Sequence, residues 1–153
     1  EFVTKRGPVL GFELSVPKDA ISSSSKEDGE YGVDWTFVGK TGDIIGINVN
    51  STSVATLHAA GAHAVKEANV LSKALGDDAE AKVADSKTLD NGSFLVTLAP
   101  VRKREELSCY LAPRATGKLG LYVSVKGPIT SHEDLLSICT SLKHLKNTGG
   151  KEK

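Results

Sequence analysis

Over most of this chain the apolar residues fall on every second position, and only two stretches break that rule with helical spacing. A period of two gathers one set of side chains on one face of a strand, and that face must be buried against something. Phe12, Leu14 and Val16 line one side of segment 9–16, with Glu13 and Ser15 on the other. Pro17 has no N–H to give a ladder and is expected to end that strand. Val33, Trp35 and Phe37 alternate across 33–38, and Ile45, Ile47 and Val49 across 44–49. Between them Gly39-Lys40-Thr41-Gly42-Asp43 has the glycine content of a tight hairpin connection. Leu107, Cys109 and Leu111 share a face of 105–112, and Leu119, Leu121, Val123 and Val125 a face of 118–126. Segment 93–99 is apolar on both sides, as a strand covered twice should be, and Asn91-Gly92 before it is a strong turn signal. Residues 79–89 alternate only in part.

The first helical stretch is 51–75, where Leu57, Ala60, Ala64, Ala68, Leu71 and Leu75 recur at steps of three or four. Its stripe is mostly alanine, so this helix should lie close to the surface it covers. Ser51 or Ser53 is expected to cap its start and Gly76 to end it. The second stretch, 131–147, follows an expected strand break at Gly127-Pro128 and gathers Leu135, Ile138, Cys139, Leu142 and Leu145. Ser131 with Asp134 resembles a capping box, and Lys143, His144 and Lys146 suit the negative end of the helix dipole.

Short turns between strands call for antiparallel pairing, and two amphipathic helices need two apolar surfaces, which one sheet provides. The sequence therefore predicts an α+β fold with a central antiparallel sheet flanked by two helices, an α/β/α sandwich. The chain has 153 residues, room for one such domain over 9–147. Residues 148–153 read as a solvated tail. Glu1-Phe2 is the dipeptide a common cloning junction leaves, so residues 1–8 are expected to be an arm or vector-derived.

Charge and motif narrow the function classes. Lys plus Arg and Asp plus Glu are 19 each, so the basic excess of a general nucleic-acid binder is missing. No apolar run reaches the roughly 18 residues of a spanning helix. Gly39-Lys40-Thr41 invites a phosphate-loop reading, but Asp34 stands where the motif's first glycine belongs and a strand follows where a helix must start. The nucleotide-binding reading is rejected. His58 and His63 lie about 140° apart on a helix and are read as surface residues, not as a chelating pair. His132, Glu133 and Asp134 suit the positive end of a helix without any metal. Asp77, Asp78 and Glu80 lack calcium-loop spacing and read as a solvated turn. Cys109 and Cys139 sit among apolar residues and are expected to be reduced and structural. No catalytic residue, cofactor or metal site is predicted.

Gly11-Phe12-Glu13-Leu14-Ser15-Val16-Pro17 is similar to the Gly-Phe-x-Leu-x-x-Pro strand that opens PsbP-like domains. Ile47-Asn48-Val49-Asn50 with Ser53-Val54, Asn91-Gly92 and Gly120-Leu121-Tyr122-Val123 follow in that family's order, as does a terminal helix with Leu142. Over about residues 9–146 the chain thus resembles the PsbP/Mog superfamily, which includes photosystem II extrinsic subunits and Mog-type proteins that bind the GTPase Ran. It departs from PsbP-like chains in carrying Lys18-Asp19-Ala20 where they place a tryptophan; its only tryptophan is Trp35.

The resemblance implies a non-catalytic interaction module, a monomeric domain acting as an accessory or assembly subunit with a protein partner. The photosystem II association would place it in the thylakoid lumen. A Mog-like Ran-binding trafficking factor of cytoplasm or nucleus is the alternative, as is a small-ligand binder or enzyme with a cleft at the sheet edge. The expected contact regions are the polar 18–32 loop, with Lys26, Glu27 and Asp28, and the charged tip Arg102, Lys103 and Arg104.

Overall fold

The computed structural model describes residues 2–7, 11–22, 33–39, 42–74, 80–113 and 119–145. It is mixed α+β and mostly sheet. In chain order the strands are β1 (Phe2–Gly7), β2 (Phe12–Pro17), β3 (Ile21–Ser22), β4 (Val33–Val38) and β5 (Ile44–Thr52), followed by helix α1 (Leu57–Ala74). Then come β6 (Val83–Thr88), β7 (Phe94–Leu98), β8 (Arg104–Leu111), β9 (Gly120–Pro128), helix α2 (His132–Thr140) and β10 (Lys143–His144). The strands form two antiparallel sheets: seven in the order β3-β4-β5-β9-β8-β7-β6, and three in the order β1-β2-β10. The one-sheet expectation therefore gives way to two. β2, the strand of Phe12, Leu14 and Val16, pairs with β1 and β10 and never joins the large sheet.

The alternation read in the sequence sorts the interior into two clusters. The larger takes Ile45, Ile47 and Val49 of β5, Leu107, Cys109 and Leu111 of β8, and Leu121, Val123 and Val125 of β9. Leu135, Ile138 and Cys139 of α2 and Phe12, Leu14 and Val16 of β2 close over them. The smaller takes the intervening residues, Val96 and Leu98 of β7 with Tyr110 and Tyr122, under Ala60 and Ala64 of α1. Gly127 belongs on the α2 side: a Cβ there would lie 2.9 Å from Ile45 and 3.0 Å from Leu135. Only a glycine lets the helix come this close to β9.

Four boundaries differ from expectation, each for a local reason. Residues 51 and 52 extend β5, because Ser51 and Thr52 pair with Leu121 and Gly120 of β9. The helix then begins at Leu57, and its cap is Thr56, whose Oγ1 accepts from the Ala59 N–H at 3.1 Å, not Ser51 or Ser53. The strand β9 runs on through Gly127 to Pro128, which is tolerated because it is the terminal residue. The expected capping box at Ser131 does not form; Ser131 is buried, makes no cap bond with its side chain, and ends a 3₁₀ turn. Finally, α2 stops at Thr140 instead of running to 147. The Ser141 hydroxyl donates to the Ile138 carbonyl at 2.7 Å and accepts from the Ser15 N–H at 2.9 Å. That turn delivers Lys143 and His144 to β2 as a strand, so they do not form a basic last turn. Gly76, Asp77 and Asp78, and the 148–153 tail, lie outside the described residues.

Candidate ligand cleft on the polar sheet face

The strand residues that do not enter the larger cluster build a second surface. On β5, β9 and β8 the cross-strand rows are Gly46–Lys126–Glu106, Asn48–Ser124–Ser108 and Asn50–Tyr122–Tyr110. Helix α1 packs on β6 and β7, at the far side of the sheet, and so covers this surface only in part. What remains is a cleft of about 440 Å³ between helix and sheet, lined by Asn48, Asn50, Glu67, Glu106, Ser108 and Ser124, with the tyrosines at one end. That volume falls in the range of small-molecule sites. A second hollow of about 330 Å³ shares Asn48, Glu106 and Ser124 with it and continues past Gly46 to Lys126 and Arg104. Gly46 confirms the openness: a Cβ there would meet nothing within 4 Å.

At the helix end of the cleft, His63 sits over two tyrosines. Tyr110 and Tyr122 stack with ring centroids 5.4 Å apart, and His63 meets both edge-on. Its Nδ1 lies 2.8 Å from the Tyr110 hydroxyl. Burial, with Tyr122, Glu106 and Glu67 nearby, pushes the Tyr110 pKa well up, so the hydroxyl keeps its proton. With that hydroxyl as donor, the ring proton of His63 belongs on Nε2, 4.0 Å from Glu67. The surface reading of His63 is thus corrected: its side chain is 25% exposed and its ring is held by the Tyr110 hydroxyl and against both tyrosine rings, with the Glu67 carboxylate 4.0 Å away. His58 is exposed, as expected.

Glu106 is the half-buried carboxylate of the cleft. Burial raises its pKa, opposed by the Ser124 hydroxyl, which donates to it at 3.1 Å, and by Lys126; Glu67 adds to the rise. Among the described residues no cation stands within ion-pair distance of its carboxylate. A carboxylate set into a polar hollow beside a second carboxylate is poised to accept hydrogen bonds from a cationic or hydroxylic group.

The sequence-predicted contact residues fall in two places. Lys26, Glu27 and Asp28 lie outside the described residues. Arg102 and Lys103 form the β7–β8 turn with φ of 52° and 65°, closed by Val101 and Arg104. Arg104 is no free tip: its guanidinium donates to the Ile44 carbonyl at 2.9 Å. It also borders the second hollow, so the turn stands on the rim of the polar face. His132 Nδ1 is 2.6 Å from Glu105, on the opposite side of β8. Cys109 and Cys139 are unbridged and buried. They touch, and the hydrogen bond with Cys139 holds the Cys109 pKa down while burial raises that of Cys139. No helix among the described residues is long and apolar enough to cross a membrane.

No protein-family model matches the chain, and no curated protein matches it either.

Proposed function

We propose that this protein is a non-catalytic binding module of the PsbP/Mog-like α/β/α class, an accessory or assembly subunit whose working surface is the polar face of the large sheet. The observation that carries this reading is the contrast between the two faces: one is sealed and apolar, the other holds a cleft with a charged rim. The sandwich architecture is supported by the two clusters taking alternate residues of β7, β8 and β9 under different helices. Tyr110, whose hydroxyl meets His63, is 1% exposed, and a pair so covered fits a structural role beneath α1 beside a binding cleft.

The test is capture of partners from the native source, with residue-specific cross-links, for three forms of the full chain. Reversing Arg102 and Lys103 to Glu should weaken capture while leaving stability within about 0.5 kcal/mol, as for exposed positions. Ser108→Trp, which fills the cleft, should weaken it too. Capture unchanged in both variants would remove this face from the interface. A second reading, a binder of small molecules, is favoured by the size of the cleft and shares the same residues.

A further inference from the structure

Among the described residues that border the 440 Å³ cleft the carboxylates are Glu67 and Glu106; Lys126, which stands opposite Glu106 on β9, and Arg104 border the neighbouring hollow. Around the two carboxylates stand Asn48, Asn50, Ser108 and Ser124, a set of oxygen acceptors suited to a group with several N–H donors. The stacked pair Tyr110 and Tyr122 closes one end with aromatic side chains. From the cavity, its acceptors and its charge we propose that this cleft binds a small ligand through an aliphatic ammonium group, seated between Glu67 on α1 and Glu106 on β8.

The chemistry is one of charge compensation. Glu106 is half-buried, its hydrogen-bond donor is the neutral Ser124 hydroxyl, Lys126 opposite it on β9 offsets its charge only from beyond ion-pair distance, and Glu67 also borders the cleft. Partial desolvation and the neighbouring Glu67 oppose its charge, and an ammonium between the two carboxylates would add to the partial compensation from Lys126 with three donors at once. An aliphatic ammonium stays charged at neutral pH, so it can fill this role throughout the physiological range. The Glu67 side chain is 51% exposed, which leaves an entrance open for the ligand's hydrocarbon part. Val70, which is exposed beside it on α1, offers that part an apolar contact.

This inference rests on the polar face being the binding surface, and the experiment separates the two. The full chain is titrated calorimetrically at low ionic strength and neutral pH with 1,4-diaminobutane and with 1,4-butanediol, which has the same length and no charge. The diamine should bind saturably at one site and the diol should not. Glu67→Gln and Glu106→Gln should each weaken the diamine roughly ten-fold, the loss of one charge-assisted hydrogen bond. Asp85→Asn, on exposed β6 away from the cleft, should change nothing. A blocked Gly-Lys-Gly peptide is the third probe: tighter binding than the diamine places the ammonium on a partner's lysine side chain, and weaker binding places it on a free amine. Equal binding of diol and diamine would overturn the ammonium while leaving the cleft a binding site. Diamine binding indifferent to both glutamine variants would overturn the placement. No binding of any probe would overturn the proposal outright, and partner capture by the Ser108→Trp form would still decide the wider reading.

Discussion

The two faces of the large sheet are built from the same strands and differ in almost every physical respect. Toward α2 the side chains are aliphatic, close-packed and joined to those of β2 in one cluster. Toward α1 the strands offer tyrosines, serines, asparagines and a glutamate, and the helix meets them with alanines. Two glycines express the difference. Above Gly127 there is no room for a methyl group, and above Gly46 there is nothing to touch. Stability is thus concentrated on one face, leaving the other able to carry polar groups in a hollow.

The largest effect should come from the sealed face. Leu135→Ala removes a fully buried side chain of α2 and should cost about 2–5 kcal/mol in denaturant unfolding. A loss under 1 kcal/mol would mean that the α2 face collapses around the gap and is not close-packed. The glycine pair gives the next effect, with opposite signs expected from the same chemical change. Gly127→Ala forces a methyl group against Ile45 and Leu135 and should cost about 1–3 kcal/mol. Gly46→Ala should stabilise by about 0.5–1 kcal/mol, the advantage of alanine over glycine within a strand. Equal effects at the two positions would erase the contrast between the faces.

The smallest effect is a slope. In the folded protein burial raises the Glu106 pKa above its ordinary value of 4.5, so the folded state holds that proton more tightly than the unfolded chain. Its contribution is therefore most favourable below the ordinary carboxylate value and is lost as pH rises through the raised folded value. Glu106→Gln should gain stability relative to the unchanged protein across that window and then level off. The check is denaturant unfolding of both forms from acid to neutral pH. A constant difference would show that the Glu106 carboxylate is as well solvated as an exposed one.

How much of this could be read in advance depends on whether the signal was local. The alternating segments 9–16, 33–38, 44–49, 105–112 and 118–126 each supply, within their described residues, most of a strand (β2, β4, β5, β8 and β9), because alternation reports burial on one side whatever lies above it. The end of the last helix was misread because Ser141 and Ser15 are 126 residues apart, and their hydrogen bond, with the pairing of β10 on β2, overrides a stripe that Leu142 and Leu145 continue. The polar positions of the same strands were legible only as solvent-facing. Glu106, Ser124 and Asn48 carry no motif, and His63 looked like any helix-surface histidine.

By itself the sequence determined the two kinds of segment, the antiparallel pairing implied by short turns, and the apolar set that forms the larger cluster, because each follows from neighbours a few residues apart. The tertiary structure alone decided that β2 leaves the large sheet, that His63 meets Tyr110, and that Glu67 and Glu106 border one hollow. Those groups come from distant parts of the chain, and the pattern of polar residues along a strand is the same whether water or a half-covering helix lies above it. Only the position of α1, set on β6 and β7, turns that face from a wet surface into a cleft.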